Sequence, residues 1–511
     1  MTFESILVPA DYGPVPEESA ATPAFFGDLN LDQIVAKVTA GKEEYRLEPF
    51  FYCALQDPNA VAFRQAIMRD LEDTAVLEAL RSFAEQMRSM RKCLALAEKL
   101  HYDLQQQRWF LDAVNVYCEA VARLLQDLSA AELRAWGLLR FREYLAEYVD
   151  SPPFRSLSED ANNLISALAR IRYNFFIEGL RVEVFDHAGE PDYSAEVEKT
   201  FQKFKQGEVK EYTFKFPKGA EMDHVESQIL GLIAQLHPEM FPEIQSFCAV
   251  KRDFQDNKIV TFDREIQFYI AYFEHCARLK KAGLKFCYPK VVDDSKEVYD
   301  YQGFDLALAA KLVRENAPLV SNDFHLSGPE RMIVVSGPNQ GGKTTFASMF
   351  GQLHYLASLG LPVPGARAQL FLFDNLFAHF EREESVSNLQ GKLEDDLIRL
   401  HRIIERATSD SIVVLNEIFT STTVRDAVAL SKNIAARLLD LDLLCVWVTF
   451  LDELSSISEQ TVSMMSTVVP DNPAERTYKS ARRPADGLAY AMAIAEKHRV
   501  TYSMIKERIG V

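Results

Sequence analysis

The stretch Gly337-Pro338-Asn339-Gln340-Gly341-Gly342-Lys343-Thr344-Thr345 follows the apolar run Met332 to Val335 and precedes a helix expected through Phe346, Met349 and Leu353. A buried strand, a glycine-rich turn and a helix in that order call for an α/β layer and fit a phosphate-binding loop. The turn exposes backbone N–H groups to an anion, and the helix N-terminus adds favourable potential. Lys343 can reach the β- and γ-phosphate oxygens, and Thr344 can ligate Mg²⁺. A glycine loop that merely turns a strand into a helix is the alternative. The Lys-Thr pair, the spacing and both flanking elements favour a nucleotide, with ATP and Mg²⁺ as the expected cofactors.

The inner residues are more specific than the generic loop. Gly-Pro-Asn-x-Gly-Gly-Lys-[Ser/Thr]-Thr resembles the loop of the MutS family of DNA mismatch-repair ATPases. Further segments follow in the same order: Ser385-Val-Ser387-Asn-Leu389, Ser411-Ile-Val-Val-Leu-Asn416-Glu417-Ile418 and Thr422-Thr423-Val424-Arg425-Asp426. Gly487-Leu488-Ala489-Tyr490-Ala491 loosely resembles the closing helix of that family. The resemblance implies that Ser387 reaches the nucleotide of the opposite subunit, so that one chain cannot build a complete site and a homodimer is expected. It also implies that Leu319-Val-Ser-Asn322-Asp323 passes beside the adenine, with Leu319 and Asn322 in contact.

Glu417 follows an apolar strand, where a carboxylate can polarise the water attacking a γ-phosphate, and is the expected catalytic residue beside Lys343. A helix N-terminal carboxylate is the other reading of Glu417. Two positions depart from the family pattern. Asn416 stands where the family has Asp, so it can hold Mg²⁺ through water but supplies no negative charge. Phe450 follows Thr449 where the family has His, which removes a polar sensor. Slow hydrolysis is the expectation. None of the ten histidines forms a metal-ligand pair at helical spacing, and a lone one such as His379 reads as a structural residue.

The rest of the chain is expected to be helical. Leu77, Leu80, Met87, Met90, Leu94 and Ala97 form a stripe at helical spacing, as do Leu164, Leu168, Ile171 and Phe175, and Ile266, Ile270, Phe273 and Ala277. Pro152-Pro153 separates the first helical block from the second. Alternation over Arg181 to Phe185 and Glu211 to Phe216, around the turn residues Gly189 to Asp192, predicts a small β insertion. The expected architecture is therefore multidomain: a lead-in segment (1–27), an all-α lever domain (28–315) with a β insertion at about 181–217, and an α/β P-loop, ABC-like ATPase domain (316–511). The last of these would end in a helical dimerisation segment.

A chain of 511 residues can bury several cores. The net charge of −18 repels a polyanion at long range, so any DNA contact must be local. Lys199, Lys203, Lys205, Lys210, Lys215 and Lys218 lie among Phe201, Phe204, Tyr212, Phe214 and Phe216 in the insertion. They fit either a solvated amphipathic face or, by the resemblance, a DNA clamp. Seven cysteines without a Cys-x-x-Cys pair, no basic leader and no run of about eighteen apolar residues suggest a cytoplasmic protein with no membrane contact. The family's mismatch-reading N-terminal domain, with its Phe-x-Glu wedge, is expected to be absent; Phe25-Phe26-Gly27-Asp28 lacks the pattern.

The resemblance thus implies an ATP-dependent DNA-binding protein, in mismatch repair or in sensing DNA damage or junctions. The alternative is an ATP-gated binding module with little hydrolysis. A DNA organiser of the structural-maintenance kind fits less well, lacking a Leu-Ser-Gly-Gly segment and long coiled coils.

Overall fold

The computed structural model describes residues 3–13, 21–179, 181–187, 189, 222–381, 391–469, 472–485, 495 and 498–509. Its first part is a helical body: α1 (Leu31–Thr39), α2 (Glu48–Tyr52), α3 (Pro58–Asp70), α4 (Thr74–Lys99), α5 (Asp103–Ala130), α6 (Trp136–Asp150) and α7 (Pro152–Arg170). The expected apolar stripe does make α4, whose Leu77, Leu80, Met87 and Met90 are buried and whose N-terminus is capped by Asp73 accepting from the Ala75 N–H. Its 26 residues span about 39 Å at 1.5 Å per residue. Pro152 and Pro153 fall in the first turn of α7 behind the capping Ser151, where a missing N–H costs nothing.

The second stripe stops short of its predicted end. α7 finishes at Arg170, and Phe175 lies in β1 (Tyr173–Glu178), which pairs antiparallel with β2 (Arg181–Asp186). Aromatic and β-branched side chains over Tyr173 to Ile177 favour that strand over a fourth helical turn. Within the expected β insertion, Arg181 to Phe185 pairs with the residues just before it. The other predicted strand, Glu211 to Phe216, and all the lysines from Lys199 to Lys218 lie outside the described residues.

After α8 (His224–Leu236) and α9 (Met240–Val250), α10 (Asn257–Lys281) forms the axis of the body. Phe262, Ile266, Phe268, Tyr269 and Tyr272 are fully buried on several of its faces, as expected of a helix surrounded by others. The predicted lead-in is part of this core. Phe3, Ile6 and Leu7 are buried, Ile6 N–H donates to Glu265 Oε2 at 2.8 Å, and Arg64 Nε donates to Leu7 O at 2.6 Å. Burial of apolar side chains at three of five positions offsets the chain freedom that the segment loses.

The strands β3 (Phe286–Cys287), β4 (Lys290–Val292) and β5 (Val298–Gly303) precede α11 (Leu306–Arg314) and β6 (Asn322–Leu326). Next come β7 (Met332–Ser336), α12 (Lys343–Ser358), β8 (Val363–Pro364), β9 (Arg367–Phe371), β10 (Leu376–Phe380), α13 (Lys392–Arg406), β11 (Ile412–Asn416), α14 (Val424–Asp440), β12 (Leu444–Val448), β13 (Thr461–Val469), β14 (Asn472–Arg482) and α15 (Tyr502–Ile509). The main sheet runs β10-β11-β12-β7-β13-β14, parallel except for the antiparallel β14. Every residue of β7, β11 and β12 is buried, which explains their uninterrupted apolar sequence.

A second sheet, β4-β9-β5-β6, moves the expected boundary at residue 316. β4 and β5 come from before it, yet they pair with β9 and β6 from after it. The helical body and α12 also share one core. Tyr355 OH donates to Phe51 O at 2.7 Å, Gln352 Nε2 to Leu29 O at 2.8 Å, and Tyr272 OH to Pro362 O at 2.8 Å. The helix behind the glycine loop is thus tied to α2 and to Leu29 just before α1, and the segment that follows it to α10, so a shift of one must be felt by the other.

Candidate nucleotide site

The loop 337–342 leaves β7 at the carboxyl edge of the parallel strands, where α/β sheets hold ligands. Gly337 has φ +114°, and a Cβ there would stand 2.8 Å from Ser466 O. A Cβ on Gly341 would stand 2.9 Å from Pro338 O. Both glycines are required by close backbone approach, and together they leave a cradle of backbone at the start of α12 that suits a phosphate. Pro338 is buried, while Asn339, Gln340 and Thr344 are exposed and Thr345 is half-buried.

Lys343 lies within that cradle, its side chain only 4% exposed. Its Nζ donates to Gly337 O at 3.0 Å, Pro338 O at 3.4 Å and Asn339 Oδ1 at 3.1 Å, and stands 3.5 Å from Glu417 Oε1. Burial pushes its ammonium below the usual lysine value, and the Glu417 carboxylate opposes that shift. A desolvated cation facing a backbone cradle gains most from a phosphate anion. Thr344 Oγ1 donates to Asn416 Oδ1 at 3.0 Å. The hydroxyl and amide that would hold Mg²⁺ are therefore already paired, and the carboxylate beside them belongs to Glu417. Among the described residues there is no cluster of three His, Cys, Asp or Glu that could hold a metal by itself, so the ion would depend on the nucleotide's own oxygens.

Glu417 ends β11 in the left-handed region, φ +50°, and Phe419 follows with φ +61°. Such backbone in non-glycine residues costs on the order of 1–3 kcal/mol each and persists only where the surroundings enforce it. One restraint is Glu417 N–H donating to Val448 O at 2.9 Å across to β12. The turn swings the Glu417 side chain toward Lys343 instead of along α14. The start of α14 has its own cap, in which Thr423 Oγ1 accepts from the Asp426 N–H at 3.2 Å and donates to Asp426 Oδ2 at 2.8 Å. The carboxylate in the first turn of α14 is thus that of Asp426, not Glu417.

The residues expected beside adenine are less available. Leu319 packs against the main core. Asn322 is buried, with Nδ2 donating to Tyr478 O at 3.2 Å and Oδ1 accepting from Ser480 N–H at 2.7 Å. Thr449 N–H donates to Val335 O at 3.0 Å, and Phe450 is 46% exposed. Ser387 and the Gly487 to Ala491 segment lie outside the described residues.

Two neighbours of the loop escaped the sequence reading. Arg476 Nε on β14 donates to Asn339 O at 3.2 Å. Tyr478, φ +58° and 54% exposed, sits so that a Cβ on Gly342 would be 3.8 Å from its carbonyl oxygen. No motif marks them; only a sheet that folds β14 back past β13 brings them here.

Residues 333–508 match the family model described as MutS domain V. The chain is similar to the DNA mismatch repair protein MutS of Chlorobium phaeovibrioides, 24% identical over 189 residues, 36% of this chain and 22% of that protein. It is 26% identical over 153 residues to the DNA mismatch repair protein MSH3 of Debaryomyces hansenii, covering 30% of this chain and 15% of that one. With the endonuclease MutS2 of Gemmatimonas aurantiaca it shares 28% identity over 201 residues, 38% and 24% of the two chains. The match spans less than a quarter of the length of each of these relatives. Among the described residues, no helix is long and apolar enough to cross a membrane.

Proposed function

We propose, from the match of residues 333–508 to the family model MutS domain V, an ATP-dependent DNA-binding protein in which nucleotide binding and slow hydrolysis drive a clamp-like grip on DNA. One observation carries this reading: Lys343, Thr344, Asn416 and Glu417 converge at the carboxyl edge of the parallel strands β7 and β11, which lie on either side of β12. Residues 337–342 cradle the phosphates, and Lys343 exchanges its loop carbonyls for β- and γ-phosphate oxygens. Glu417, freed from that lysine, orients and deprotonates the attacking water. Thr344 and Asn416 would hold Mg²⁺, which would offset charge on the phosphates. Tyr478 offers an exposed ring beside the loop for the base, where Leu319 and the bonded amide of Asn322 supply walls.

The neutral Asn416 sets the expected rate. Asn416→Asp keeps an acceptor for Thr344 Oγ1 and adds a charge, so the Mg²⁺ concentration for half-maximal turnover should fall by about 10-fold or more. Titration of Mg²⁺ in a phosphate-release assay measures this. An unchanged midpoint would assign the metal's charge partner to Glu417 instead.

Ser387 is proposed to complete the nucleotide site of a second copy, making a homodimer the working unit. The seating of α12 on the helical body gives that closure a route to the long helices. Lys203, Lys205, Lys210 and Lys215 are proposed as the local DNA contacts on an otherwise acidic chain, serving mismatch repair or the sensing of damage and junctions. Replacing all four by Glu should abolish binding to duplex, mismatched, branched and single-stranded DNA and flatten the salt dependence. Each lost phosphate contact removes about 0.9 from the slope of the log–log plot. Turnover without DNA should stay unchanged. Retained affinity would move the DNA surface elsewhere. No affinity of the unmutated protein at low salt, with or without ATP, would favour the second reading, an ATP-gated module acting outside DNA, for which Asn416 and Phe450 are the support.

A further inference from the structure

His379 read as a structural residue in the sequence, and the structure places it in a buried chain of contacts that ends on the Glu417 turn. It stands on β10, 1% exposed, and its Nε2 lies 2.8 Å from Asp396 Oδ1 on the first turns of α13. Asp396 is 6% exposed, and its other oxygen, Oδ2, accepts the backbone N–H of Phe419 at 3.2 Å. A carboxylate only accepts, so the imidazole proton must sit on Nε2. Its Nδ1 has no hydrogen-bond partner among the described residues.

The N–H that Asp396 holds belongs to Phe419, a left-handed residue two positions after Glu417, itself left-handed. The Phe419 ring is wholly buried, so its backbone has no freedom to seek another acceptor. One tie to this turn comes from β12, through Val448 O to Glu417 N–H, and the other from Asp396. A strained turn held at both ends keeps one geometry; released at one end, it relaxes toward an ordinary φ and carries its side chain away.

We infer that His379 and Asp396 are positioning residues for Glu417: the imidazole fixes the carboxylate, the carboxylate fixes the Phe419 N–H, and the turn so held aims Glu417 at the phosphate cradle. This rests on the ATPase reading of the site. Neither residue touches the nucleotide, so neither contributes to its affinity. Their effect is confined to the step that needs Glu417 in place.

The test compares Asp396→Ala, Asp396→Asn and His379→Phe in the full chain, with ATP binding and turnover measured on each, alone and combined with Glu417→Gln. Asp396→Ala and His379→Phe should lower kcat by about 10-fold, with ATP affinity within about twofold of the unmutated protein. Asp396→Asn, whose Oδ1 can still accept from Phe419, should recover most of the rate. In the Glu417→Gln background the same substitutions should have less than about a twofold further effect, because the group they position is already gone. Should Asp396→Ala fail to fold, His379→Phe fills the same buried space and carries the comparison. Additive losses in the Glu417→Gln background, equal losses in affinity and kcat, or normal kcat in a folded variant would overturn the inference while leaving the ATPase reading standing. Absence of turnover in the unmutated protein would overturn both.

Discussion

Replacing Glu417 by Gln is expected to lower ATP hydrolysis by about 10²- to 10⁴-fold while ATP still binds, the range lost with a general base. The side chain keeps its shape and its place after β11 but can no longer take a proton from water. Affinity should hold or rise, because Lys343 loses the carboxylate 3.5 Å away that competes with a phosphate for its charge. Single-turnover phosphate release and equilibrium binding of ATP separate the two effects. Turnover equal to that of the unmutated protein would remove Glu417 from the chemistry and leave it as the counter-ion of Lys343.

The second large effect concerns stability. Asp300 on β5 is fully buried, and among the described residues neither carboxyl oxygen has a hydrogen-bond partner. Burial pushes its carboxyl up to about 8, and the nearby Asp323 charge adds to the rise. The folded state therefore keeps a proton that the unfolded chain releases near its ordinary value of about 3.9. Stability contributed at this position is full below about pH 4 and is lost as pH rises toward about 8. Asp300→Asn has the same size and no proton to keep, so it should stabilise the protein by up to about 4 kcal/mol at pH 7 and by almost nothing at pH 4. Denaturant unfolding at the two pH values tests this. An equal shift at both would mean that Asp300 titrates normally.

What could be read from sequence divides along physical lines. The loop 337–345 and the strands before Glu417 and Thr449 were legible because local patterns fix them: apolar runs for buried parallel strands, glycines where backbones meet, a lysine at the start of a helix. The long helices α4 and α10 were legible from their stripes. Where tertiary contacts decide, the reading failed. Phe175 continued a helical spacing yet belongs to a hairpin, and the expected lead-in segment has Phe3, Ile6 and Leu7 in the core beside Glu265. The boundary at 316 missed a sheet assembled from distant strands. Tyr478, Arg476 and the His379–Asp396 pair carry no motif, because their neighbours come from strands and helices far apart in the chain.

The central claim is that residues 337–345, Asn416 and Glu417 form a working ATP site. Its most direct test is ATP binding and steady-state phosphate release by the full chain with Mg²⁺, beside Lys343→Ala. The expected result is saturable ATP binding with slow turnover, both abolished by Lys343→Ala while the folded far-ultraviolet dichroism is retained. ATP binding that survives Lys343→Ala, or none by the unmutated chain, would contradict it.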